Sequence, residues 1–340
     1  MSLPALFQGR LTLPLICAPM FLVSGPDLVI EACKAGVVGT FPALNRRTSE
    51  EFELWLVEII TTLQTYIEET GKQPAPFGVN LIVHKSNPRL QADLDICKKH
   101  KVPLIITSLG AVPDVVEAVH EYGGLVFHDV ATIRHAEKAA EAGVDGLIAV
   151  CAGAGGHAGV LSPFAFVNEI RKFYQGSVIL SGCLSTGRDI ATAQTLGADA
   201  AYMGTRFINT QESLAVTEYK QMIVDSSAKD VVYTPEISGI PANFLKPSLH
   251  LAGLNPDTGK PLDAEESESA KAGKELNLGE ELTAPKEGAT AWKNIWSAGQ
   301  GVGSVGDVPS VADLLVTLHG EYIDATVDYG QRSREYAFKI

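Results

Sequence analysis

The sequence predicts an α/β fold, a (β/α)8 TIM barrel with a C-terminal insertion over the barrel mouth. Eight short apolar runs occur in the first 205 residues, and amphipathic stretches separate them. Each run is almost continuously apolar, as expected for strands that are buried on both faces of a parallel sheet. Eight such strands alternating with helices favour a closed barrel over an open doubly wound sheet. The predicted strands are Leu15–Ala18, Val37–Thr40, Phe77–Leu81, Leu104–Thr107, Leu125–Asp129, Gly146–Val150, Val178–Ser181 and Ala200–Met203.

The stretches between these runs have the features of helices. The segment from Thr48 to Glu51 matches a capping box, and it precedes an amphipathic pattern. Three stretches end in Ala-Gly or Leu-Gly, where glycine takes the left-handed conformation that closes a helix. These glycines are Gly36, Gly143 and Gly197, and the apolar face after the capping box comprises Phe52, Trp55, Leu56, Ile59, Ile60 and Leu63.

The length of 340 residues fits one barrel with an added segment better than two equal domains. We interpret residues 1–229 as the barrel, 230–305 as an insertion that caps its mouth, and 306–340 as a C-terminal helix that returns to the barrel. Within the insertion, residues 262–281 are polar and charged, which predicts a solvated helical or mobile excursion.

The composition excludes several classes of partner. Lys and Arg number 27 against 40 Asp and Glu, and the formal net charge of -13 argues against nucleic-acid binding and against a polybasic membrane patch. No signal peptide pattern and no run of about 20 apolar residues is present. The five cysteines are scattered, as in proteins with reduced thiols. We therefore expect a soluble, cytoplasmic protein without a metal site.

Small and polar residues follow the last two predicted strands. Ser181-Gly182 and Gly204-Thr205 stand where such barrels usually bind phosphate through backbone N–H groups. Glycine allows these amides to approach a phosphate closely, and Thr205 adds a hydroxyl donor. A single glycine-rich loop would be explained as a turn, but two of them on these strands favour a phosphate site.

The loop after the sixth strand contains Gly155-Gly156-His157. Small residues around a histidine leave room for a planar ligand and direct an imidazole towards it. A histidine near its usual pKa of about 6.5 serves either as a proton acceptor or as a cationic anchor for an anionic substrate. The structural alternative is a histidine that only hydrogen-bonds its own loop.

Other residues at strand ends are weaker candidates. His128 would donate to a ligand oxygen or cap the fifth strand, and Asn80 would hydrogen-bond a ligand edge or hold a turn. The cysteines are more typical of buried packing residues than of nucleophiles. We expect the remaining histidines to be solvent-exposed or packing residues: His84, His100, His120, His135, His250 and His319.

With these residues the chain resembles the nitronate monooxygenase (2-nitropropane dioxygenase-like) family of FMN-dependent barrels. The resemblance spans nearly the whole chain, and its motifs together are specific. It rests on the segments Pro14–Met20, Gly78–Leu81, Ala154–Gly159, Ser181–Gly182, Met203–Phe207 and Trp296–Gly301.

The resemblance implies that FMN binds in the barrel and that the enzyme oxidises nitronates with O2. His157 would be the catalytic histidine, which removes a substrate proton or binds the anionic nitronate. Cys183 stands where the family often has glycine, so its φ angle or local packing is expected to differ. The implied cofactor contacts are Ala18, Pro19 and Met20 along the flavin ring, Asn80 and His128 near its polar edge or ribityl chain, Gly155 and Gly156 beside it, and Ser181, Gly182, Cys183, Gly204 and Thr205 at the phosphate.

Three alternatives remain open at this stage. Related flavin barrels use NAD(P)H to reduce quinones or enoyl thioesters, and the residues above do not separate these activities. A flavin-free isomerase or lyase would place a Lys or carboxylate at the inner strand ends, where Asp129 is the only nearby acid. A non-catalytic flavin carrier is the third.

Overall fold

Eight parallel strands form a closed barrel, and each coincides with one of the apolar runs of the sequence. The computed structural model describes residues 3–110, 113–262 and 293–336. Neighbouring strands pair in order, and the first closes on the last, where Cys17 lies beside Met203. The predicted fold class is confirmed. The barrel strands are β1 (Leu15–Cys17), β2 (Val38–Pro42), β3 (Phe77–Ile82), β4 (Leu104–Ser108), β5 (Leu125–Val130), β6 (Gly146–Val150), β8 (Ser177–Ser181) and β9 (Ala200–Met203).

Helices separate the strands along the chain and begin and end at the expected signals. The Thr48 hydroxyl accepts a hydrogen bond from the Glu51 amide at 3.2 Å, and Gly36, Gly143 and Gly197 all have positive φ. The helices are α1 (Pro26–Lys34), α2 (Ser49–Thr70), α3 (Leu90–Lys99), α4 (Pro113–His120), α5 (Ile133–Glu141), α6 (Pro163–Ile170), α7 (Gly187–Leu196), α8 (Thr205–Ile208), α9 (Thr217–Val224), α10 (Lys246–Leu251) and α11 (Val311–Glu335).

Apolar side chains from alternate positions fill the barrel interior. A short 3-10 turn, Ala5–Phe7, packs against this interior cluster at the amino ends of the strands. The rings of Phe7 and Phe127 meet edge to face, with their centroids 5.9 Å apart. The amino end is therefore filled, and a ligand site can form only at the carboxyl ends. The interior cluster comprises Phe7, Ile16, Ala18, Val38, Leu104, Ile106, Phe127, Ile148, Ile179, Ala200 and Tyr202.

A small antiparallel sheet lies outside the barrel. It joins the two-residue strand β7 (Gly156–His157) to β11 (Ala242–Leu245) and β10 (Val231–Thr234), in the order β10-β11-β7. His157 pairs with Ala242 in this sheet. Part of the interval 230–305 thus pairs directly with the loop that follows β6. Of the predicted excursion 262–281, residues 263–281 lie outside the described residues.

The long helix α11 packs on α7 and α1. Its first turn is capped by Ser310, whose hydroxyl accepts from the Asp313 amide at 3.1 Å. The Tyr322 hydroxyl donates to Gln194 Oε1 on α7 at 2.7 Å. Along the described parts of the chain, no helix is both long and apolar enough to span a membrane.

The contact between α7 and α11 is close enough to require glycine. A Cβ atom added to Gly187 would lie 2.0 Å from the carbonyl oxygen of Leu318 and 2.5 Å from the amide nitrogen of Tyr322. Both neighbours are backbone atoms in a helix, so they cannot move aside cheaply. We expect Gly187→Ala to lower the free energy of unfolding by about 3 kcal/mol, the upper range for overpacking.

Urea denaturation of the full chain measures this effect. Gly306→Ala is the matched control, because a Cβ there has no neighbour within 4 Å. The control should change the free energy of unfolding by less than about 0.5 kcal/mol. Equal stability of Gly187→Ala and Gly306→Ala would contradict the close packing of α11.

Candidate active site

A cavity of about 1100 Å³ opens at the carboxyl ends of the barrel strands. This volume is at the upper end for cofactor and ligand sites, so it can hold a cofactor together with a small substrate. All residues that the sequence analysis assigned to the site line this cavity. They are Ala18, Pro19, Met20, Asn80, His128, Gly155, Gly156, His157, Ser181, Gly182, Cys183, Gly204 and Thr205.

The loop after β8 has an unusual backbone. Gly182 has φ 130°, and Cys183 has φ 58°, which lies in the left-handed region that favours glycine. Cys183 is the position at which the sequence analysis expected the φ angle or the local packing to differ. The Cys183 side chain is exposed, and its Sγ lies 3.6 Å from the carbonyl oxygen of Ala152. The other four cysteines are buried free thiols, as the sequence analysis expected for packing residues.

The loop after β9 is completed by a segment from far along the chain. The Thr205 hydroxyl accepts a hydrogen bond from the Gly299 amide at 2.9 Å, so its own proton stays available for a ligand. A Cβ at Gly299 would lie 2.8 Å from the Gly153 carbonyl oxygen, and one at Gly301 would lie 2.8 Å from Ser185 Oγ. Glycine is therefore needed at both places. The sequence analysis used this segment for the resemblance but assigned none of its residues to the site.

Side-chain hydrogen bonds hold the glycine-rich loop after β6. Ser297 Oγ accepts from the Gly156 amide at 2.7 Å and donates to the Asn243 carbonyl at 2.5 Å. Asn243 Nδ2 in turn donates to the carbonyl oxygen of Ala154 at 2.7 Å. The Tyr219 hydroxyl donates to the Ser297 carbonyl oxygen. These contacts fix the backbone on both sides of Gly155.

His157 follows directly in β7 and lines the cavity. Burial lowers the pKa of its imidazole to about 4. The ring is therefore neutral at pH 7, and a neutral imidazole can accept a proton. Of the two chemical roles that the sequence left open, the proton acceptor agrees better with this environment than the cationic anchor.

A hydrogen-bonded chain crosses three neighbouring strand ends. Asn80 Nδ2 donates to the carbonyl of Ile106 at 3.2 Å and to Ser108 Oγ at 2.8 Å, and Ser108 Oγ donates to Asp129 Oδ2 at 2.7 Å. The amide hydrogens of Asn80 thus bond β4, whereas the sequence alternatives were a ligand edge and a turn. Its carbonyl oxygen remains available to accept a hydrogen bond from a ligand.

Asp129 is the acid at the end of this chain, and it lines the cavity. Its Oδ1 has no solvent-accessible surface and no hydrogen-bond partner among the described residues. Burial raises the pKa of this carboxyl to about 6, although the hydrogen bond from Ser108 opposes the shift. Burial, with a smaller contribution from Asp129, also raises the pKa of the neighbouring Tyr202 well above its usual range. The sequence analysis noted Asp129 only as a nearby acid.

Three further histidines border the cavity. His128 is 3% exposed, its Nδ1 lies 2.7 Å from Thr107 Oγ1, and burial lowers its pKa to about 4. His84 and His135, which we expected to be solvent-exposed or packing residues, also line the cavity wall. His84 Nδ1 lies 2.8 Å from Ser86 Oγ. The spacing of these residues in the sequence did not indicate that they line the same cavity.

Among residues 3–110, 113–262 and 293–336, no cluster of three or more potential ligands could hold a metal ion.

A parallel barrel with glycine-rich loops after its last two strands, and a histidine loop beside the same cavity, is the architecture of the flavin-dependent barrel oxidoreductases. The family model for nitronate monooxygenase matches residues 88–321. The chain belongs to this family, as its sequence motifs indicated.

Individual relatives are similar at modest identity. A Mycobacterium tuberculosis protein described as a monooxygenase is 29% identical over 71% of this chain, and the match spans 65% of that relative, just under two thirds of its length. A nitronate monooxygenase of Paraburkholderia phytofirmans is 26% identical over 91% of this chain and 92% of its own. The structure of FabK from Thermotoga maritima superposes with a TM-score of 0.76, at 26% identity, over 96% of both chains.

The raised pKa of Asp129 predicts a pH-dependent stability. Because the folded state favours the protonated carboxyl, its stabilising contribution is present below about pH 4 and is lost as the pH rises through about 6. Asp129→Asn keeps the shape but cannot ionise. The stability of Asp129→Asn relative to the parent protein should rise by about 2 kcal/mol from pH 4 to pH 7, a value reduced because the side chain borders the open cavity.

Urea unfolding of both proteins at the two pH values measures this change. Asp95→Asn, on the exposed face of α3, is the control and should follow the parent protein at both pH values. If Asp129→Asn and the parent protein lose stability in parallel as the pH rises, the carboxyl does not carry the proton that we assign to it.

Proposed function

We propose that the protein binds FMN in this cavity and oxidises alkyl nitronates, and nitroalkanes where His157 removes their proton, with O2. The observation that carries the proposal is the imidazole of His157, which burial keeps neutral, on a hydrogen-bonded loop beside the cavity of a chain that belongs to this family. The low identity of the relatives leaves the choice of substrate and the role of the histidine as parts of this proposal.

The residues at the far strand ends suit a phosphate. A Cβ at Gly204 would make only ordinary contact with its nearest neighbour, Met20 Sδ, at 3.6 Å. Ser181 and Thr205 offer hydroxyl groups there, and both line the cavity. In a chain with a net charge of -13, neutral donors rather than cationic side chains would hold the phosphate.

The loop after β1 suits a flat ring. Ala18, Pro19 and Met20 follow β1 with small or flexible apolar side chains, and the carbonyl oxygen of Asn80 remains free to accept. When bound, the flavin supplies the electron acceptor and the group that reacts with O2. FMN fits this set of residues better than a longer dinucleotide, because a single phosphate and a single ring system correspond to the two groups of residues described.

His157 would act on the substrate. A nitroalkane carries a C–H proton beside its nitro group, and a neutral imidazole can accept that proton. A preformed nitronate has already lost it, so the same imidazole would only donate or accept a hydrogen bond. The hydrogen bonds of Ser297 and Asn243 to the loop would keep the ring in position during this step.

The main alternative is an NAD(P)H-dependent reductase of quinones or enoyl thioesters on the same barrel. The cavity is large enough for such a donor, and FabK shares the fold. An absorbance spectrum followed by anaerobic mixing with propionate 3-nitronate, and separately with NADH, decides between the two. Bleaching of the flavin by the nitronate alone supports our proposal, and rapid bleaching by NADH alone supports the reductase.

Replacement of His157 separates its two chemical roles. We expect His157→Asn to retain the flavin and to lower turnover of nitroethane at least about tenfold, because the general base is lost. Turnover of preformed ethyl nitronate should fall less than about threefold, since no proton has to be removed. Steady-state oxygen consumption with each substrate measures both values.

The matched control is His84→Asn, which changes another histidine of the cavity wall. It should leave the ratio of the two activities unchanged. An equal loss on nitroethane and on the nitronate would show that His157 binds substrate without acting as a base. Unchanged turnover would remove it from the mechanism.

A charge at Gly204 tests the position of the phosphate. A Cβ at Gly204 makes only ordinary contacts, and Asp and Asn are nearly equal in size, so Gly204→Asp and Gly204→Asn differ mainly in charge. We expect the purified Asp variant to retain at least about tenfold less FMN than the Asn variant, because a carboxylate repels a dianion nearby. Equal flavin-to-protein absorbance ratios in the two variants would contradict the assignment.

A further inference from the structure

Helix α11 carries apolar side chains that remain partly exposed in the described parts of the chain. Val316, Ile323 and Val327 are 75%, 44% and 52% exposed. With Gly320 and Gly330 they recur at alternating spacings of four and three residues, so they form one stripe along the helix. The buried residues of α11, such as Leu314 and Leu318, lie on the opposite side and pack on the barrel. We call these five exposed positions the α11 stripe.

Nothing among the described residues explains the two glycines of the α11 stripe. Glycine is disfavoured in the interior of a helix because it loses more backbone freedom than other residues. A Cβ atom at Gly320 or at Gly330 would meet no atom within 4 Å, so nothing in the described chain needs the missing side chain. By contrast, Gly187 is required by the packing of α7 on α11. Glycines beside exposed valines fit a close approach from outside.

We propose that a second copy of this chain packs on the α11 stripe, with the two helices antiparallel about a twofold axis at Ile323. Val316 and Gly330 are each seven residues from Ile323, so the axis places Val316 of one copy beside Gly330 of the other. Val327 and Gly320 are four and three residues away, and they meet within about one residue rise of 1.5 Å. Each valine thus faces a glycine, and Ile323 faces itself. A twofold interface requires a surface that is complementary to the same surface on the second copy, and the α11 stripe in antiparallel packing meets this requirement.

Charges at the two ends of the α11 stripe agree with this arrangement. Asp313 lies ten residues before Ile323 and Arg334 lies eleven residues after it. The antiparallel packing therefore brings Asp313 of one copy near Arg334 of the other, at both ends of the interface. Arg334 forms no ion pair within the described residues, so its guanidinium is available. A parallel packing would instead place like charges side by side.

The contact is a single pair of helices, which sets its strength. Its length, from 313 to 334, is about 30 Å. Interfaces of this kind bury areas near the lower limit of about 1,000 Å² for a specific association, so dissociation in the micromolar range is expected. The dimer should therefore appear and dissociate within a practical range of concentrations.

Sedimentation equilibrium of the full chain, from about 1 µM to about 100 µM, tests the proposal. The parent protein should show a monomer–dimer equilibrium, and Ile323→Glu should weaken association at least about tenfold, because it buries two like charges at the axis. Leu54→Glu is the matched control: Leu54 is 69% exposed on α2, and this variant should associate like the parent protein. A parent protein that is monomeric throughout, or a dimer lost with Leu54→Glu and kept with Ile323→Glu, overturns the proposal.

A cross-linking experiment locates the axis even if Ile323→Glu perturbs folding. In a Cys183→Ser background, which removes the exposed native thiol, Ile323→Cys should form an intermolecular disulfide under mild oxidation. Val316→Cys should cross-link at least about tenfold more slowly, because the two copies of this residue lie on opposite sides of the axis. Faster cross-linking at Val316 than at Ile323 would exclude the antiparallel arrangement.

Discussion

Hydrogen bonds between the loop after β6 and the segment 297–301 are the constraint on which the candidate site depends. The Gln300 amide donates to the Gly153 carbonyl at 2.8 Å, and the Gly156 amide donates to Ser297 Oγ at 2.7 Å. The Gly299 amide bonds the Thr205 hydroxyl in the same region. One late segment thus joins the histidine loop to the predicted phosphate loop. Without this segment, the Gly156 amide and the Gly153 carbonyl would lose these hydrogen-bond partners.

Burial determines the charges that a ligand would meet in the cavity. It lowers the pKa of both His128 and His157 to about 4 and raises that of Asp129 to about 6. All three shifts favour the neutral form, because a charge in a poorly hydrated wall is unfavourable. At pH 7 the two imidazoles are therefore neutral, whereas Asp129 is largely ionised, within a chain of net charge -13. A dianionic group would then be held by local hydrogen bonds, without attraction from the protein as a whole.

The sequence predicted the barrel well because strands that are buried on both faces must be apolar along their length. It also indicated the loops of Gly182, Gly204 and His157, because glycine and histidine are conspicuous at strand ends. It did not predict β7, because a two-residue strand has no periodicity of its own and forms only where β11 lies beside it. The role of Asp129 was equally hidden, since it depends on hydrogen bonds that join Asn80, Ser108 and Asp129 on three neighbouring strands. Such contacts belong to the assembled barrel and leave no local pattern.

The same dependence on distant contacts extends to helix α11. Gly187 begins α7 directly after the loop of Cys183, and its amide donates to Glu321 Oε2 on α11 at 2.6 Å. Ser185 Oγ donates to the Gly301 carbonyl at 2.9 Å, so a second late segment holds the same loop. Residues of the 297–335 stretch therefore contribute to the geometry of the loop predicted to bind phosphate, together with Asp189, whose Oδ2 accepts from the Ser185 and Thr186 amides.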